Sequence, residues 1–320
     1  MMQNNIPDGK HPSRSRSRPG ERAIVRSILA WYRRGGRSLP WRNIDDPYRI
    51  LVSEIMLQQT RVQRVLLKYP EFLRQFPTLE SLAGAPRRKV VMAWQGMGYN
   101  NRAVRLHLLA QRVVEHHGGS VPDTFESLII LPGIGRYTAN AVLSSAFRRP
   151  EPVVDINVRR LLSRVFWPMH SVREMRAEKI IWELAAQLLP PGNAYQWNQA
   201  IMDLGATLCT ARRPSCEECP VADQCKSRRR MTGRATPQAR IEPSFMRIPH
   251  RIYRGKIIQQ LRERGGELHL TTPELGKLIC PRFSRRNERW LAGLLDALQR
   301  DGLVRVAGNG SFHTRRVFLA

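Results

Sequence analysis

Four cysteines lie within seventeen residues of this chain, with the spacing Cys209-x6-Cys216-x2-Cys219-x5-Cys225. Thiols at such spacing can hold a metal centre, so this segment is predicted to fold as a closed loop around one. A zinc site usually combines two close ligand pairs, whereas this segment has a single C-x2-C pair. An iron–sulfur cluster bound by four thiolates therefore fits better, with zinc and four free cysteines as the alternatives.

The charge of the chain points to a polyanionic partner. Among 320 residues, 53 Lys and Arg face 26 Asp and Glu, a formal net charge of +27. The excess is mostly arginine, whose planar guanidinium suits phosphate oxygens. The basic residues are spread over the whole length, and no run of about eighteen apolar residues occurs, so nucleic acid is a better match than a membrane.

The N-terminus also bears on location. Its segment HPSRSRSRPGER lacks the apolar core of a secretory signal, which predicts a soluble cytoplasmic, nucleoid-associated protein with reduced cysteines. No heptad pattern or exposed apolar seam stands out, so the chain is expected to act as a monomer.

Changes in periodicity divide the chain into four segments. Residues 1–20 are predicted to form a disordered basic arm, because they offer little to bury. Residues 21–225 place apolar side chains at helical spacing between Pro and Gly breaks, which predicts an all-α domain ending in the cysteine loop. Residues 226–246 lose this periodicity and are predicted to be a basic linker, followed by a small domain over 247–320.

That last segment has the pattern of a winged helix. Three helical runs precede two apolar runs, and the Asn-Gly pair at 309–310 between the apolar runs predicts a hairpin. In a DNA-binding module of this kind, the third helix would enter the major groove. A packing or dimerisation domain is the alternative.

A glycine-rich turn lies in the middle of the helical region. In LPGIGRYT, residues 131–138, Gly133 and Gly135 stand just before a new helical pattern. Small residues would let a DNA backbone approach closely, and N–H groups at the start of the next helix could bind a phosphate without reading sequence. An ordinary glycine-rich turn between helices is the alternative.

Two carboxylates occupy contrasting surroundings. Glu54 lies in the apolar run ILVSEIML, where poor solvation is expected to raise its pKa and let it act as a general acid. Asp155 follows PVV and precedes a helical run, so it is expected to cap that helix and stay ionised. A neutral acid and a permanent anion are what cleavage of a glycosidic bond needs. Taken singly, a helix cap and a salt-bridge partner are the ordinary explanations.

Taken together and in this order, these features resemble the helix-hairpin-helix DNA glycosylases that carry an iron–sulfur cluster. Within that superfamily the chain is most similar to the A/G-specific adenine DNA glycosylases, and SEIMLQQT, residues 53–60, is rather specific to that branch. The resemblance covers about 200 residues, and its motifs lie at 39–42, 47–62, 76–83, 96–107, 131–142, 153–164 and 198–210. It implies a fold of two helical subdomains, a 4Fe–4S cluster on the four cysteines, and double-stranded DNA with a mismatched or damaged base as partner.

The resemblance also assigns roles to residues of this chain. It implies that Glu54 protonates the adenine ring at N7 and that Asp155 stabilises the oxocarbenium-like sugar, with Tyr137 and Asn157 hydrogen bonding in the same pocket. Water completes the hydrolysis.

Further roles concern the DNA. Gln59 and Tyr99 would enter the base stack as the target nucleotide is flipped out, with Arg42 and Gln199 near the extruded base. Gly133 and Gly135 would grip the backbone phosphate.

Strand cleavage is not expected. Related lyases place a Schiff-base lysine at the position held here by Tyr137, and no lysine occurs between Lys89 and Lys179. The sequence therefore predicts a monofunctional glycosylase that leaves an abasic site.

Three departures from the adenine-specific pattern leave the target base open. No Nudix-like C-terminal domain is found, Ile156 replaces the usual glycine of an Asp-Gly-Asn motif, and Asn140 stands where a small residue is usual. A thymine or uracil glycosylase acting on T:G and U:G mismatches is therefore the alternative enzyme. A non-catalytic, cluster-containing DNA-binding protein is the alternative from another class.

Overall fold

The fold was analysed in a computed structural model, which describes residues 18–169, 175–228, 242–265, 268–308 and 311–320. Most of the predicted basic arm, the greater part of the predicted linker and the Asn-Gly pair at 309–310 lie outside these residues. The domain boundaries drawn from the sequence therefore stay predictions. Among the described residues, no helix is both long and apolar enough to span a membrane.

The described chain is mostly helical, as predicted. The helices are α1 Pro19–Gly35, α2 Pro47–Leu57, α3 Val62–Gln75, α4 Leu79–Ala83, α5 Arg87–Ala93, α6 Asn101–His117, α7 Phe125–Ile129, α8 Arg136–Ser145, α9 Ile156–Phe166, α10 Glu178–Gln187, α11 Ala194–Thr207, α12 His250–Glu263, α13 Thr272–Ile279 and α14 Glu288–Arg300. The strands are β1 Ser244–Phe245, β2 Ile248–Pro249, β3 Leu270–Thr271, β4 Val304–Ala307 and β5 Arg316–Leu319.

The chain divides into two compact units. The first unit joins Met1–Ser38 to Leu143–Pro237, so α1 belongs with α9, α10, α11 and the cysteine loop. The apolar faces of these four helices share one core. Asp203 of α11 is fully buried, and it accepts hydrogen bonds from Nε and the backbone N–H of Arg37, at 2.8 and 2.9 Å. This pair anchors the end of α1 on α11.

The second unit joins Leu39–Val142 to Gln238–Ala320. Its first part contains α2 to α7 and most of α8. Arg102 and the apolar faces of α2, α3 and α6 are buried in it. Tyr48 at the start of α2 donates a hydrogen bond of 2.7 Å to the carbonyl of Phe76, which follows α3.

The C-terminal part of this unit has the element order of the predicted winged helix. Helix α12 is followed by β3, α13, α14 and the β4–β5 hairpin, and the three strands form an antiparallel sheet in the order β3-β5-β4. A short β1–β2 hairpin precedes α12, within a segment partly predicted as linker. Its Phe245 stacks on Trp290 of α14, with ring centroids 4.0 Å apart, which explains why this segment is ordered into the domain.

Candidate active site and cluster loop

Asp155 caps helix α9, as the sequence predicts. Its extended backbone places the side chain over the helix start, where Oδ1 accepts a hydrogen bond of 2.7 Å from the backbone N–H of Val158. Oδ2 accepts a second hydrogen bond of 2.7 Å from the side-chain amide of Asn157. Both donors therefore meet the carboxylate oxygens at the positive end of the helix dipole. Asp155 and Asn157 are thus brought together within one turn of chain.

The segment before Asp155 is held by a buried amide. Asn198 of α11 accepts a hydrogen bond of 3.3 Å from the backbone N–H of Val153, and it donates bonds of 2.8 Å to the carbonyl of Glu151 and to Oγ of Ser144. Its side chain is 1% exposed, so these bonds are not in competition with water. The neighbouring Gln199, one of the predicted base contacts, is also buried on α11.

A buried arginine links Asp155 and Asn157 to the cysteine loop. Nη2 of Arg160 donates to Oδ1 of Asn157 at 2.9 Å and to the carbonyl of Gly205 at 2.6 Å, and its Nε donates to the carbonyl of Cys209 at 2.8 Å. Burial lowers the pKa of Arg160. The three hydrogen-bond acceptors offset the cost of removing its guanidinium from water. The chain of contacts therefore runs from Asp155 through Asn157 and Arg160 to a predicted cluster ligand.

Gly205 allows α11 to pack closely on the start of α9. A Cβ at this position would lie 3.0 Å from both the backbone carbon and the oxygen of Asn157. Backbone atoms cannot swing aside as a flexible side chain can, so only glycine keeps Asn157 in its place. The requirement is for close approach, because no positive φ is recorded at Gly205.

The four cysteines line one cavity together with apolar side chains that include Leu161, Val165 and Leu208. Arg164 packs at its edge, with Nη1 3.4 Å from Sγ of Cys209 and 2.7 Å from the carbonyl of Thr210. Apolar walls, four sulfurs and a cationic donor together suit an anionic thiolate cluster.

Burial works against thiolates that lack a metal. It raises the pKa of the Cys219 thiol to about 11, and it raises the pKa values of Cys216 and Cys225 as well. Coordination would supply the charge compensation that keeps these sulfurs deprotonated.

Glu54 lies on α2 in the apolar setting that the sequence predicts. It is 8% exposed, and the flanking side chains Val52, Ser53, Ile55 and Met56 are buried as well. Such surroundings disfavour the charged form of a carboxyl group. The raised pKa of Glu54 stays a prediction.

Arg102 organises the loops beside Glu54. Its guanidinium is buried and donates five hydrogen bonds of 2.8 to 3.2 Å, to the carbonyls of Ile55, Met56, Met97 and Gly98 and to Oγ1 of Thr60. Burial lowers its pKa to about 10, so it stays cationic at neutral pH. One side chain thereby joins the end of the Glu54 helix to the turn that carries Gln59 and to the loop that carries Tyr99.

Gln59 and Tyr99 both protrude from strained backbone. Their φ angles are +57° and +44°, in the left-handed region that residues other than glycine rarely adopt. Gln59 is exposed, and the Tyr99 ring is 48% exposed with the Arg102 guanidinium 5.8 Å from its centroid. Strain held in place by surrounding hydrogen bonds is typical of functional loops.

The glycine turn separates α7 from α8 as a helix-hairpin-helix requires. Gly133 has a φ of +85°, and a Cβ there would lie 3.3 Å from Cβ of Arg105, whereas the space around Gly135 is open. The backbone beside Gly135 is therefore accessible at the start of α8. Tyr137 stands half-buried in the first turn of that helix, and Arg42 is buried in the loop before α2.

The candidate residues are distributed over both units. Arg42, Glu54, Gln59, Tyr99, Gly133, Gly135 and Tyr137 belong to the second unit, and Asp155, Asn157, Gln199, Cys209, Cys216, Cys219 and Cys225 to the first. Sequence reasoning missed Arg102 and Arg160. Neither residue stands out in the sequence, because further arginines, Arg105 and Arg164, lie at helical spacing from them.

Two family models match the chain. The model described as HhH-GPD superfamily base excision DNA repair protein matches residues 52–187, and the iron–sulfur binding domain of endonuclease III matches residues 209–225. The second match confirms the predicted 4Fe–4S site on the four cysteines and removes the zinc alternative.

Individual relatives agree with these models. The adenine DNA glycosylase of Rattus norvegicus is 43% identical over 218 residues, which cover 65% of this chain and 42% of that protein, so the chain spans about two fifths of its length. The solved structure of a thermostable thymine-DNA glycosylase has a TM-score of 0.61 and 32% identity, covering 66% of this chain and 97% of that one.

A bacterial relative is covered almost completely. The adenine DNA glycosylase of Mycobacterium tuberculosis (strain CDC 1551 / Oshkosh) is 38% identical over 291 residues, which cover 89% of this chain and 93% of that protein. An alignment of this length must include part of the C-terminal domain, whereas the 218 residues aligned with the rat protein need not. The chain therefore belongs to the adenine DNA glycosylase family, within the HhH-GPD superfamily of base excision DNA repair proteins.

Proposed function

We propose that this protein is a monofunctional DNA glycosylase of base excision repair that removes adenine mispaired with 8-oxoguanine or G. The observation that carries the proposal is the contrast between two carboxylates. Glu54 is 8% exposed on an apolar helix, whereas Asp155 receives two hydrogen bonds of 2.7 Å at a helix start. These surroundings favour a neutral acid and a permanent anion, respectively.

The chemistry divides between these two groups. Glu54 donates its proton to N7 of the adenine, which makes the base a better leaving group as the bond from C1′ to N9 breaks. Asp155 stabilises the positive charge that develops on the sugar. Asn157 holds Asp155 through its amide, and Tyr137 contributes a hydroxyl to the pocket. Water adds to C1′ and leaves an abasic site.

DNA binding draws on the exposed loops. Gln59 and Tyr99 enter the base stack, a role supported by their strained, protruding backbone. The open backbone around Gly135 at the start of α8 accepts a phosphate without reading sequence. Arg42 and Gln199 contact the extruded base. The partner is duplex DNA, and the protein acts on it as a monomer in the cytoplasm, at the nucleoid.

Two asparagine substitutions test the catalytic carboxylate. Asn caps helices as well as Asp does, so Asp155→Asn keeps the cap while it removes the charge and the acceptor that Oδ2 offers to the Asn157 amide. Asp46 caps α2 in the same way, accepting 3.0 Å from the backbone N–H of Arg49, so Asp46→Asn is the matched control. The rate of adenine release should fall by about 10²-fold or more for Asp155→Asn and for Glu54→Gln. Asp46→Asn should retain the rate, and equal rates in all three variants would contradict the proposal.

The substrate is tested with duplexes containing A:8-oxoG, A:G, T:G, U:G and matched pairs, each treated with alkali after incubation. We expect breaks at the two adenine mispairs only. Breaks confined to T:G and U:G would favour the thymine or uracil enzyme, a candidate supported by the 32% identity to a thymine-DNA glycosylase and by Asn140 and Ile156. Absence of any break would favour a DNA-binding protein without catalysis. Efficient borohydride trapping would contradict the monofunctional assignment, because Tyr137 has no amine.

A further inference from the structure

The C-terminal domain packs directly on two glycosylase helices. Val91 of α5 and Val104 of α6 belong to the same buried cluster as Ile257 and Leu261 of α12 and Leu303 after α14. A Cβ on Gly302 would lie 3.3 Å from Cγ1 of Val104, so the approach there is close. The winged helix is therefore joined to this part of the chain by a continuous core.

A buried arginine reinforces the junction. Arg262 at the end of α12 is 7% exposed, and its Nη2 donates to the carbonyl of Val91 at 2.6 Å and to Oδ1 of Asn100 at 2.9 Å. Asn100 precedes α6 and directly follows Tyr99. The C-terminal domain thus holds one side of the Tyr99 loop, while Arg102 holds the other through the carbonyls of residues 97 and 98.

Between this loop and α12 lies an open groove of about 700 Å³. One wall is formed by residues 97–101, including the exposed Tyr99 ring, and the other by α12 with Arg251, Lys256 and two glutamines. Aromatic rings beside basic and amide side chains are typical of surfaces that bind nucleic acid strands.

The charges on α12 differ in how firmly they are paired. Arg254 is partly buried and pairs with Asp301, so its charge is already used within the C-terminal domain. Arg251 pairs with Glu242 at 2.8 Å, but both side chains are exposed, so a phosphate can replace this carboxylate at little cost. Lys256 is exposed, and its Nζ lies 3.5 Å from the carbonyl of Ile279 and 5.6 Å from the centroid of the Tyr253 ring.

We propose that this groove is a DNA-binding site in which the C-terminal domain contacts the phosphate backbone through Arg251 and Lys256 of α12, beside the base-stacking ring of Tyr99. The inference deepens the proposed function, because it assumes that the substrate is DNA. It also differs from the expectation for a winged helix, in which the third helix reads the DNA. The exposed face of α14 carries Arg289 and Arg300 together with Asp296.

Two charge-matched double variants of the full chain distinguish DNA contact through α12 from DNA contact through α14. Arg251→Ala with Lys256→Ala removes two positive charges from the groove, and Arg289→Ala with Arg300→Ala removes two from α14. Affinity for a duplex that contains 2′-fluoroadenosine opposite G, which resists hydrolysis, is measured by fluorescence anisotropy at several salt concentrations. All four side chains are exposed, so thermal unfolding should be unchanged in both variants.

Loss of two phosphate contacts predicts a salt slope smaller by about 1.8 and an affinity about thirtyfold weaker at about 0.15 M salt for the α12 pair. The α14 pair should stay within about threefold of the wild type, because neither arginine lines the groove and salt screens charges away from the contact. Equal losses for both pairs, or a larger loss for the α14 pair, would overturn the proposal. The single variant Lys256→Ala, with an expected slope change of about 0.9, provides the same test if the double variant folds poorly.

The wild-type excision assay is independent of this comparison. A protein that binds DNA through α12 but releases no adenine would contradict the proposed function and leave the groove assignment intact. Adenine excision by the wild type, together with unchanged DNA affinity of the α12 double variant, would contradict the groove assignment and leave the proposed function intact.

Discussion

Replacement of Arg160 tests whether the cysteine loop supports the candidate catalytic carboxylate. Arg160→Met keeps much of the side-chain volume but removes three hydrogen bonds, to Oδ1 of Asn157 and to the carbonyls of Gly205 and Cys209. A hydrogen bond to a charged group contributes about 1.5 to 3 kcal/mol, and such bonds are not additive when one side chain makes all of them. A buried acceptor that loses its donor costs about 1 to 3 kcal/mol.

That cost is large beside a total folding free energy of about 5 to 15 kcal/mol. We therefore expect Arg160→Met to lower the unfolding midpoint and to reduce the iron content of the purified protein. Asn157 loses the partner of its Oδ1, so the amide that supports Asp155 becomes free to rotate. A displacement of about 1 Å near reacting groups costs about 10²-fold in rate. The rate of adenine release should fall by that order even for protein that retains its cluster.

The adjacent residue offers a matched control. Within the described part of the chain, Arg159 donates from Nε and Nη2 to the carbonyl of Arg176 alone, so Arg159→Met should leave cluster content and rate near wild type. Single-turnover adenine release is measured beside iron content and the visible absorption of the cluster. Wild-type rate and full cluster content in Arg160→Met would refute the reasoning. A loss of rate in proportion to lost iron would show that Arg160 acts on the cluster alone.

Three further changes follow from other contacts. Gly205→Ala should lower both the unfolding midpoint and the rate of adenine release, because its Cβ would lie 3.0 Å from the backbone of Asn157. A melting curve and a rate equal to those of the wild type would contradict this packing. Burial lowers the pKa of His107 below 6.5, so the unfolded chain binds a proton that the folded one does not, and stability is lost as pH falls below 6.5. In pH-dependent denaturation His107→Leu should flatten this slope, whereas replacement of the less buried His117 by Leu should not. Arg262→Met leaves the carbonyl of Val91 and Oδ1 of Asn100 without their donor and should make the C-terminal domain more sensitive to limited proteolysis. Unchanged proteolysis would show that the apolar contacts alone hold the domain.

Much of this fold could be predicted from local patterns in the sequence. Helical periodicity and Pro and Gly breaks gave the helices of both units, and the capping position of Asp155 followed from its place before an apolar helical run. The cysteine spacing identified the cluster loop, which the family match confirms. Each of these features depends on residues close together in the chain.

The parts that escaped prediction depend on distant residues. Arg102 and Arg160 look like surface charges in the sequence, yet both are buried because backbone carbonyls from other segments converge on them. The docking of Arg262 on Asn100 joins positions 162 residues apart, which no local pattern can show. The division into units also joins α1 to helices more than 120 residues later, because Arg37 finds its partner in Asp203.

The loop that carries the cysteines is held to the body of its unit largely by its own main chain. The backbone carbonyls of Cys209, Thr210 and Ala211 accept hydrogen bonds from Arg160 and Arg164, and every amino acid has such a carbonyl. Residues between the first two cysteines can therefore drift freely in identity over evolution without loosening this attachment. Insertions and deletions there would move the carbonyls themselves, so natural variation in the segment should preserve its length more strictly than its composition.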